Sequence, residues 1–472
     1  MWRRILILLI LLSLLPPLGC GRRGKRGLKP NQVPETKIVN VPCENTDSTS
    51  YFALIKVSWI GWDNDGYVVG YYYRWNTYHL SRGDSIIREF KYTEATSDTI
   101  AFESSDSINL QIFEVKAVDN EGAVDPTPAH RRFYTTQVAP PQTEILIPAD
   151  GAELFLLDHP TSSWPGISLK FRGSDPDGEI TGYSWRVDDL PWSEWGRDTS
   201  VTINPLYFGG PGDHTISVKS RDNTAVEDPT PAVVNIKLVK PTFGKGILVL
   251  DETKDGSGDW ESPTDAQVDS FYQRVIEREF DSWDYTDQGL PPKEMLGDYR
   301  LLIWHSDDKT DPNVGRNQEY VADYLMVGGK LWLGGWKVLS SFGNPDFPLQ
   351  YGYGEFPHDF LHLLDANLSD KNDFLGAQGV GGFSSVEVDS SKLLPFRHGR
   401  LYEVNCFTPG TFAEPILTFN SASQNMDFQG KPCAIKYAGT DYRLVFLGFP
   451  LYYIKQEDAS LLAEEILNFL GE

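Results

Sequence analysis

A turn written twice constrains this chain more than any other feature. Gly61-Trp62-Asp63-Asn64-Asp65-Gly66 recurs 112 residues later as Gly173-Ser174-Asp175-Pro176-Asp177-Gly178. Gly70-Tyr71 and Tyr73-Arg74 return in the same register as Gly182-Tyr183 and Trp185-Arg186. Val115-Lys116 and Asp119-Asn120 then match Val218-Lys219 and Asp222-Asn223, at an offset of 103. Asp125-Pro126-Thr127-Pro128-Ala129 matches Asp228-Pro229-Thr230-Pro231-Ala232 at the same offset. A segment repeated at this scale is one structural unit used twice. The shortening from 112 to 103 predicts a longer central loop in the first copy, near His79–Asp84.

Each copy reads as short alternating strands separated by turn residues. Ile55, Val57 and Trp59 point one way, and Ile112, Phe113 and Val115 form a partly continuous apolar run. Ile216 and Val218, with Leu169 and Phe171, do the same in the second copy. The Asp-x-Asp-Gly step suggests a tight turn with glycine at positive φ and aspartates bonded to nearby amides. Units of this size and pattern resemble the fibronectin type III-like or immunoglobulin-like β-sandwich modules of secreted bacterial proteins. The resemblance implies one sandwich over residues 33–138 and a second over 139–240. Asp63, Asp65 and Asp119, with Asp175, Asp177 and Asp222, could alternatively gather calcium, which seeks six to eight oxygens. They lack the twelve-residue loop and closing Glu of an EF-hand. Trp192-Ser193-Glu194-Trp195 reads either as a sugar-stacking ledge or as a packed strand edge.

From Gly244 the periodicity changes. Ile247-Leu248-Val249-Leu250 is a buried strand ending at Asp251-Glu252, and Ser262-Pro263 looks like the start of a helix. Val268, Phe271, Tyr272 and Val275 follow at helical spacing. Further strands are Leu301–Trp304, Leu331–Leu333 and Leu444–Leu447, with a helix near Gln318–Met326 stopped by Gly328-Gly329. A last amphipathic helix carries Leu462, Ile466 and Phe469. Strands alternating with helices predict a parallel sheet covered on both faces. The expected fold is therefore multi-domain: two all-β sandwiches, then an α/β domain.

Residues 241–472 resemble the class I glutamine amidotransferase-like domain, which implies a flavodoxin-like sheet. The stretches that carry the likeness are Ile247–Glu252, Tyr299–Asp308, Tyr324-Leu325 with Gly328–Gly335, and Tyr442–Pro450. Active members of that family place a nucleophilic Cys on the turn after the strand matching Leu331–Leu333. Here the turn is Gly334-Gly335-Trp336, which offers no attacking atom. The family's His and Glu follow the late strand, where this chain has Gly448-Phe449-Pro450-Leu451. The resemblance thus implies a head without amidotransferase chemistry. No phosphate-binding loop, nucleophile elbow or His-Glu-x-x-His motif occurs.

Ligands of open α/β sheets favour the crevice beyond the carboxyl ends of the strands. That locates Asp251, Glu252, His305, Ser306, Asp307, Asp308 and Trp336 on one candidate rim for a cation or polar ligand. Polar residues also end strands in any α/β fold. His358 and His362 would share a helical face at a metal-pair spacing, with an ordinary packed helix as the alternative. Cys406 and Cys433 read either as a disulfide or as two reduced core thiols.

The N-terminus supplies an address. Trp2-Arg3-Arg4 precedes an apolar run from Ile5 to Leu15, too short to span a bilayer and suited to a signal peptide over residues 1–20. Leu18-Gly19-Cys20 resembles a bacterial lipobox, with Pro17 where the family usually has Leu. It implies lipidation of Cys20; ordinary secretory cleavage near Gly19 or an uncleaved anchor are the alternatives. Gly21, rather than Asp, favours the outer membrane or cell surface by the same family's rule. Residues 21–32 form a basic tether, which anionic head groups would attract. The 472-residue chain nevertheless carries 42 Lys and Arg against 66 Asp and Glu, a formal charge of −24. Such a surface repels phosphate backbones and excludes nucleic acid as a partner. The expected role is a membrane-anchored envelope protein whose β-sandwich stalk presents a non-catalytic α/β head to an envelope or extracellular protein or polysaccharide. A hydrolase or a small-ligand or metal sensor built on the acidic rim is the alternative. No cofactor is expected beyond the calcium option.

Overall fold

The computed structural model describes residues 29–40, 54–136, 139–256, 262–310, 312–343, 346–369, 371, 373–423 and 427–472. The expected signal peptide with Cys20, most of the expected basic tether, and Cys43 lie outside them. Among the described residues no helix is long and apolar enough to cross a membrane. The chain divides into two compact units, Met1–Val138 and Ala139–Glu472.

The first unit is a β-sandwich. Glu35–Asn40, Leu54–Trp62 and Ser97–Ala101 form a three-stranded antiparallel sheet with Leu54–Trp62 at its centre. The other sheet is built on the long antiparallel pair Val68–His79 and Ile108–Asp119, flanked by Ala129–Thr136 and short edge strands. Ile108–Asp119 is not the partly continuous apolar run the sequence suggests. Its residues alternate strictly, with Phe113 and Val115 fully buried and Ile112 on the wetter face. Trp59, Tyr73 and Phe113 pack ring against ring in the core.

The second unit opens with the repeated sandwich. Gln142–Ile147, Ile167–Ser174 and Ser200–Ile203 make one sheet; Ile180–Val187, Gly212–Asp222, Ala232–Val239 and Ala152–Phe155 make the other. The two copies share hydrogen bonds as well as residues. Gly61 N–H donates to the Tyr71 hydroxyl at 3.0 Å, and Gly173 N–H to Tyr183 at 2.8 Å. Ala117 N–H donates to Thr36 Oγ1 and Ser220 N–H to Thr143 Oγ1, at 2.8 and 2.9 Å. Asp119 Oδ1 accepts from the amides of Glu121 and Ala123; Asp222 Oδ1 accepts from those of Thr224 and Val226. Gly66 and Gly178 correct one expectation, since neither is among the positive-φ glycines. They are small because the loop closes on them. A Cβ at Gly66 would sit 2.3 Å from Asn120 Oδ1, and one at Gly178 would sit 2.4 Å from Asn223 Oδ1.

The α/β domain follows without a break in the core. Phe155, Leu156 and Trp164 of the sandwich join Leu248, Leu302 and Leu325 in one apolar cluster. Lys237 pairs with Glu294 at 2.7 Å, and Ser162 Oγ donates to Asp441 at 2.7 Å, across the same junction. The nine strands of its main sheet are β1 (Lys245–Asp251), β2 (Phe280–Asp284), β3 (Tyr299–Ser306), β4 (Lys330–Gly335), β5 (Phe374–Gly379), β6 (Val386–Glu387), β7 (Ala413–Ser421), β8 (Pro432–Ala438) and β9 (Arg443–Leu447). Their order is β2-β1-β3-β4-β9-β8-β7-β5-β6. The first five are parallel, in the flavodoxin-like order. The remaining four are antiparallel, so the sheet is mixed where the sequence suggests a purely parallel one. Between β4 and β9 the chain makes the antiparallel pairs β5–β6, β7–β8 and β8–β9 in place of crossover helices, and its longer connections form a separate small sheet of Leu349–Gln350, Leu363–Leu368 and Asn405–Pro409.

Helices α1 (Asp265–Val275), α2 (Gln318–Met326) and α3 (Gln456–Leu470) cover the sheet. Ile247 and Val249 of β1 face α1 and α3, while Leu248 and Leu250 face the cluster that contains α2 and the sandwich. Burial on both faces is why these strands read as unbroken apolar runs. Helix α1 begins two residues later than Ser262-Pro263 suggests. Thr264 is its N-cap, and Gln267 Oε1 accepts from Thr264 N–H at 2.9 Å.

Candidate functional site: an acidic rim around His305

Strands β1 and β3 run side by side in parallel, with Asp251 level with His305. Their carboxyl ends therefore deliver Asp251-Glu252 and His305-Ser306-Asp307-Asp308 to one place. All six are buried, none more than 4 % exposed. Charged side chains are seldom so enclosed unless paired.

His305 is the hub. Its Nδ1 lies 3.0 Å from Asp307 Oδ2 and 3.5 Å from Asp251 Oδ1. The Tyr272 ring, from α1, stacks on the imidazole at 3.8 Å, and its hydroxyl donates to Asp307 Oδ2 at 2.8 Å. The other Asp307 oxygen accepts the Tyr452 amide at 2.9 Å. Burial pulls the His305 pKa down, but the charges of Asp251 and Asp307 outweigh it and hold the imidazole above its ordinary value. The ring thus lies between two carboxylates that favour its protonated form.

Glu252 and Asp308 turn to the loops. Glu252 accepts the Asn313 amide on both oxygens at 3.1 and 3.0 Å, and burial lifts its carboxyl to about 7. Asp308 accepts the amides of Lys254 and Thr310 at 2.8 and 2.9 Å. Ser306 is at the same strand end, and its buried hydroxyl has no hydrogen-bond partner. Trp336 packs elsewhere: its ring meets Tyr402 and Tyr453 edge-on, and its amide donates to the Ser306 carbonyl at 2.7 Å. Gly335 before it has φ +149, and a Cβ there would lie 2.3 Å from the Ser306 carbonyl oxygen.

Three contributors are absent from the sequence reading. Asp265 and Asp269 rise from the first turns of α1 toward Asp251, so that one carboxylate oxygen of each lies within 4.8 Å of the other two. Burial, then the charges of Asp251 and Asp269, raise Asp265 to about 7; Asp269 is also raised, by burial and Asp251. Tyr272, read as core, is also part of the site. The available signal was the spacing Asp265, Asp269, Tyr272 on a helix that follows β1 directly, since residues three and four apart share a face.

The other candidates are used structurally or stay apart. Asp63 and Asp175 each accept the amide two residues on, and Asp119 and Asp222 cap loops. Asp65 accepts the Gln32 amide and Asp177 the Ala139 amide. Among the described residues, these acids form no trio close enough to share a cation. Trp192 and Trp195 are packed beside a strand, with Lys219 over both rings, Arg186 over Trp192 and Arg221 over Trp195. His358 and His362 share no helix face. The short helix Phe356–Asp359 ends first, and His362 has a left-handed backbone at φ +56. Cys406 and Cys433 are free and buried, so of the two cysteine readings the structure holds the reduced one.

No protein-family model matches the chain, and no curated protein does. Solved structures resemble parts of it. The fibronectin(III)-like modules of Clostridium thermocellum CbhA are 14% identical, covering 44% of this chain and 95% of that one, at a TM-score of 0.23. A ThuA-like protein from Parabacteroides merdae is 11% identical over 48% of this chain and 92% of that one, at 0.28. The β-galactosidase of the haloarchaeon Halorubrum lacusprofundi is 16% identical over 49% of this chain but only 31% of its own, at 0.31. The sandwich and mixed α/β assignments rest on the strand order of the chain itself.

Proposed function

We propose that this is a lipid-anchored protein of the cell envelope, held at the outer membrane or cell surface through Cys20. Its β-sandwich modules carry an α/β head that binds a neutral polysaccharide at the acidic rim. The observation behind the binding reading is the buried carboxylate cluster around His305, at the strand ends where open α/β sheets take ligands. Carboxylates accept hydrogen bonds from sugar hydroxyls, and a chain of charge −24 disfavours polyanions. The head is non-catalytic in amide transfer: the turn that would carry a nucleophile holds Gly335 and the buried Trp336.

The test uses the whole chain with Cys20→Ser, on an array of neutral and anionic glycans. Retention of neutral glycans, weakened roughly 10-fold or more by Asp265→Arg, would support the rim reading. Equal retention by the variant would move the binding face elsewhere. Fractionation of cells making the native chain checks the anchor, since Cys20→Ser should release it from membranes.

One observation favours a second reading, a glycan hydrolase. Glu252 and Asp265 each hold a proton up to about 7, as a general acid must. Release of reducing ends from a retained glycan, abolished by Glu252→Gln, would establish it.

A further inference from the structure

We infer that Asp251, Asp265 and Asp269 hold a hard divalent cation between the end of β1 and the first turns of α1. The inference rests on the rim being the binding face and names what the rim takes first. Three carboxylate oxygens converge within 4.8 Å, on elements that a strand-to-helix connection brings together. The second observation is independent of that clustering. Asp251 is enclosed, its side chain 6% exposed, yet its Oδ2 has no hydrogen-bond partner among the described residues. Thr253 Oγ1 and Ser306 Oγ, also buried at these two strand ends, are equally unpartnered. Leaving one such atom unsatisfied costs about 1–3 kcal/mol, more when it is charged, so a group of them calls for a ligand.

His305 does not meet the need. Its Nδ1 faces Asp307 Oδ2 and Asp251 Oδ1, leaving Asp251 Oδ2 open. The donors decide the class of ion. Three carboxylates suit calcium or magnesium, whereas zinc and copper prefer nitrogen and sulfur. Asp265 and Asp269 reach solvent, which leaves coordination positions for water or for paired hydroxyls of a sugar.

The experiment is calorimetric titration of the chelator-treated whole chain with calcium and with magnesium, near pH 8. Three proteins are compared: wild type, Asp265→Asn with Asp269→Asn, and a module control with Asp63→Asn, Asp65→Asn, Asp175→Asn and Asp177→Asn. One ion per wild-type chain is expected, weakened roughly 100-fold or more in the α1 variant and unchanged in the module control. Both α1 positions reach solvent, so circular dichroism should show that variant folded. No binding by wild type at about 10 mM, above the range of weak extracellular calcium modules, would overturn the inference. So would binding that survives the α1 variant or disappears in the module control. Glycan retention measured in parallel separates the two readings. Ion binding with no glycan retained supports the cation site and overturns the polysaccharide reading. Glycan retained with no ion bound does the reverse.

Discussion

Asp119 of a sandwich turn and Asp265 of the α/β rim are the same residue in opposite circumstances, whereas Asp175 of the second sandwich behaves like the rim, raised by burial and by its neighbours Asp177 and Asp222. Asp119 is enclosed by groups that stabilise its charge. Burial alone would raise its carboxyl, but the Asn31 side chain and the amides of Ala123, Glu121 and Gly122 bring it below its ordinary value. Asp265 faces other acids, and burial with Asp251 and Asp269 drives it to about 7. An acid surrounded by amide donors is part of the architecture. One surrounded by acids and an orphaned oxygen is held at a cost, and sites maintained at a cost are where binding and catalysis are found.

The comparison can be broken in several ways. The largest expected effect is at Glu252, whose displacement to about 7 corresponds to about 3 kcal/mol of strain when it is ionised. Glu252→Gln should stabilise the second unit by up to that amount near pH 8 and by little near pH 5, as read by chemical denaturation. A loss of stability would mean that the charge is paired. Asp222→Ala should act in the other direction. It removes the acceptor for the amides of Thr224 and Val226 and should cost about 2 kcal/mol. A neutral outcome would make the turn acids dispensable and weaken the contrast.

Next comes the pH response. A carboxyl raised in the native state keeps a proton that the unfolded chain has released, so stability falls as pH rises toward the folded value. His305, raised above 6.5, contributes in the same direction: its stabilisation is complete below that value and is lost as pH climbs through the folded one. The second unit should therefore lose stability between about pH 5 and 8, and calcium or magnesium should restore it. The first unit carries Asp106 and Asp119, both lowered, and should weaken only in acid, below about pH 4. Calorimetry across that range should show one transition moving and the other still; parallel movement would refute the contrast. The smallest effect is at Thr253. Thr253→Val removes a buried, unpartnered hydroxyl and should be neutral or stabilising by about 1 kcal/mol in the absence of cation.

Much of the fold was legible because its causes are local. The two Asp-x-Asp-Gly loops, Tyr71 with Tyr183, and Asp119 with Asp222 recur because each makes the same short-range bonds in both copies. The apolar runs of β1, β3, β4 and β9 were visible because both faces of the sheet are covered. Less could be read between β4 and β9, where strands such as Ala413–Ser421 contain Pro415 and exposed polar positions and lack a continuous run. At the rim, Asp251, Glu252 and His305–Asp308 could be placed from strand ends alone. Asp265 and Asp269 could not, because periodicity assigned their helix by its apolar face and left its polar face without a destination.

Sequence alone therefore determined what depends on spacing: the repeated sandwich, the parallel strands, the absence of a nucleophile at Gly334-Gly335-Trp336, and the charge. Tertiary structure decided what depends on convergence. It seated the second sandwich on the α/β core, kept Cys406 and Cys433 as separate buried thiols, and turned Asp265 and Asp269 toward Asp251. The reason is physical. A hydrogen bond two residues along the chain is encoded where it is made, whereas burial and the mutual repulsion of carboxylates exist only once distant segments have closed around them.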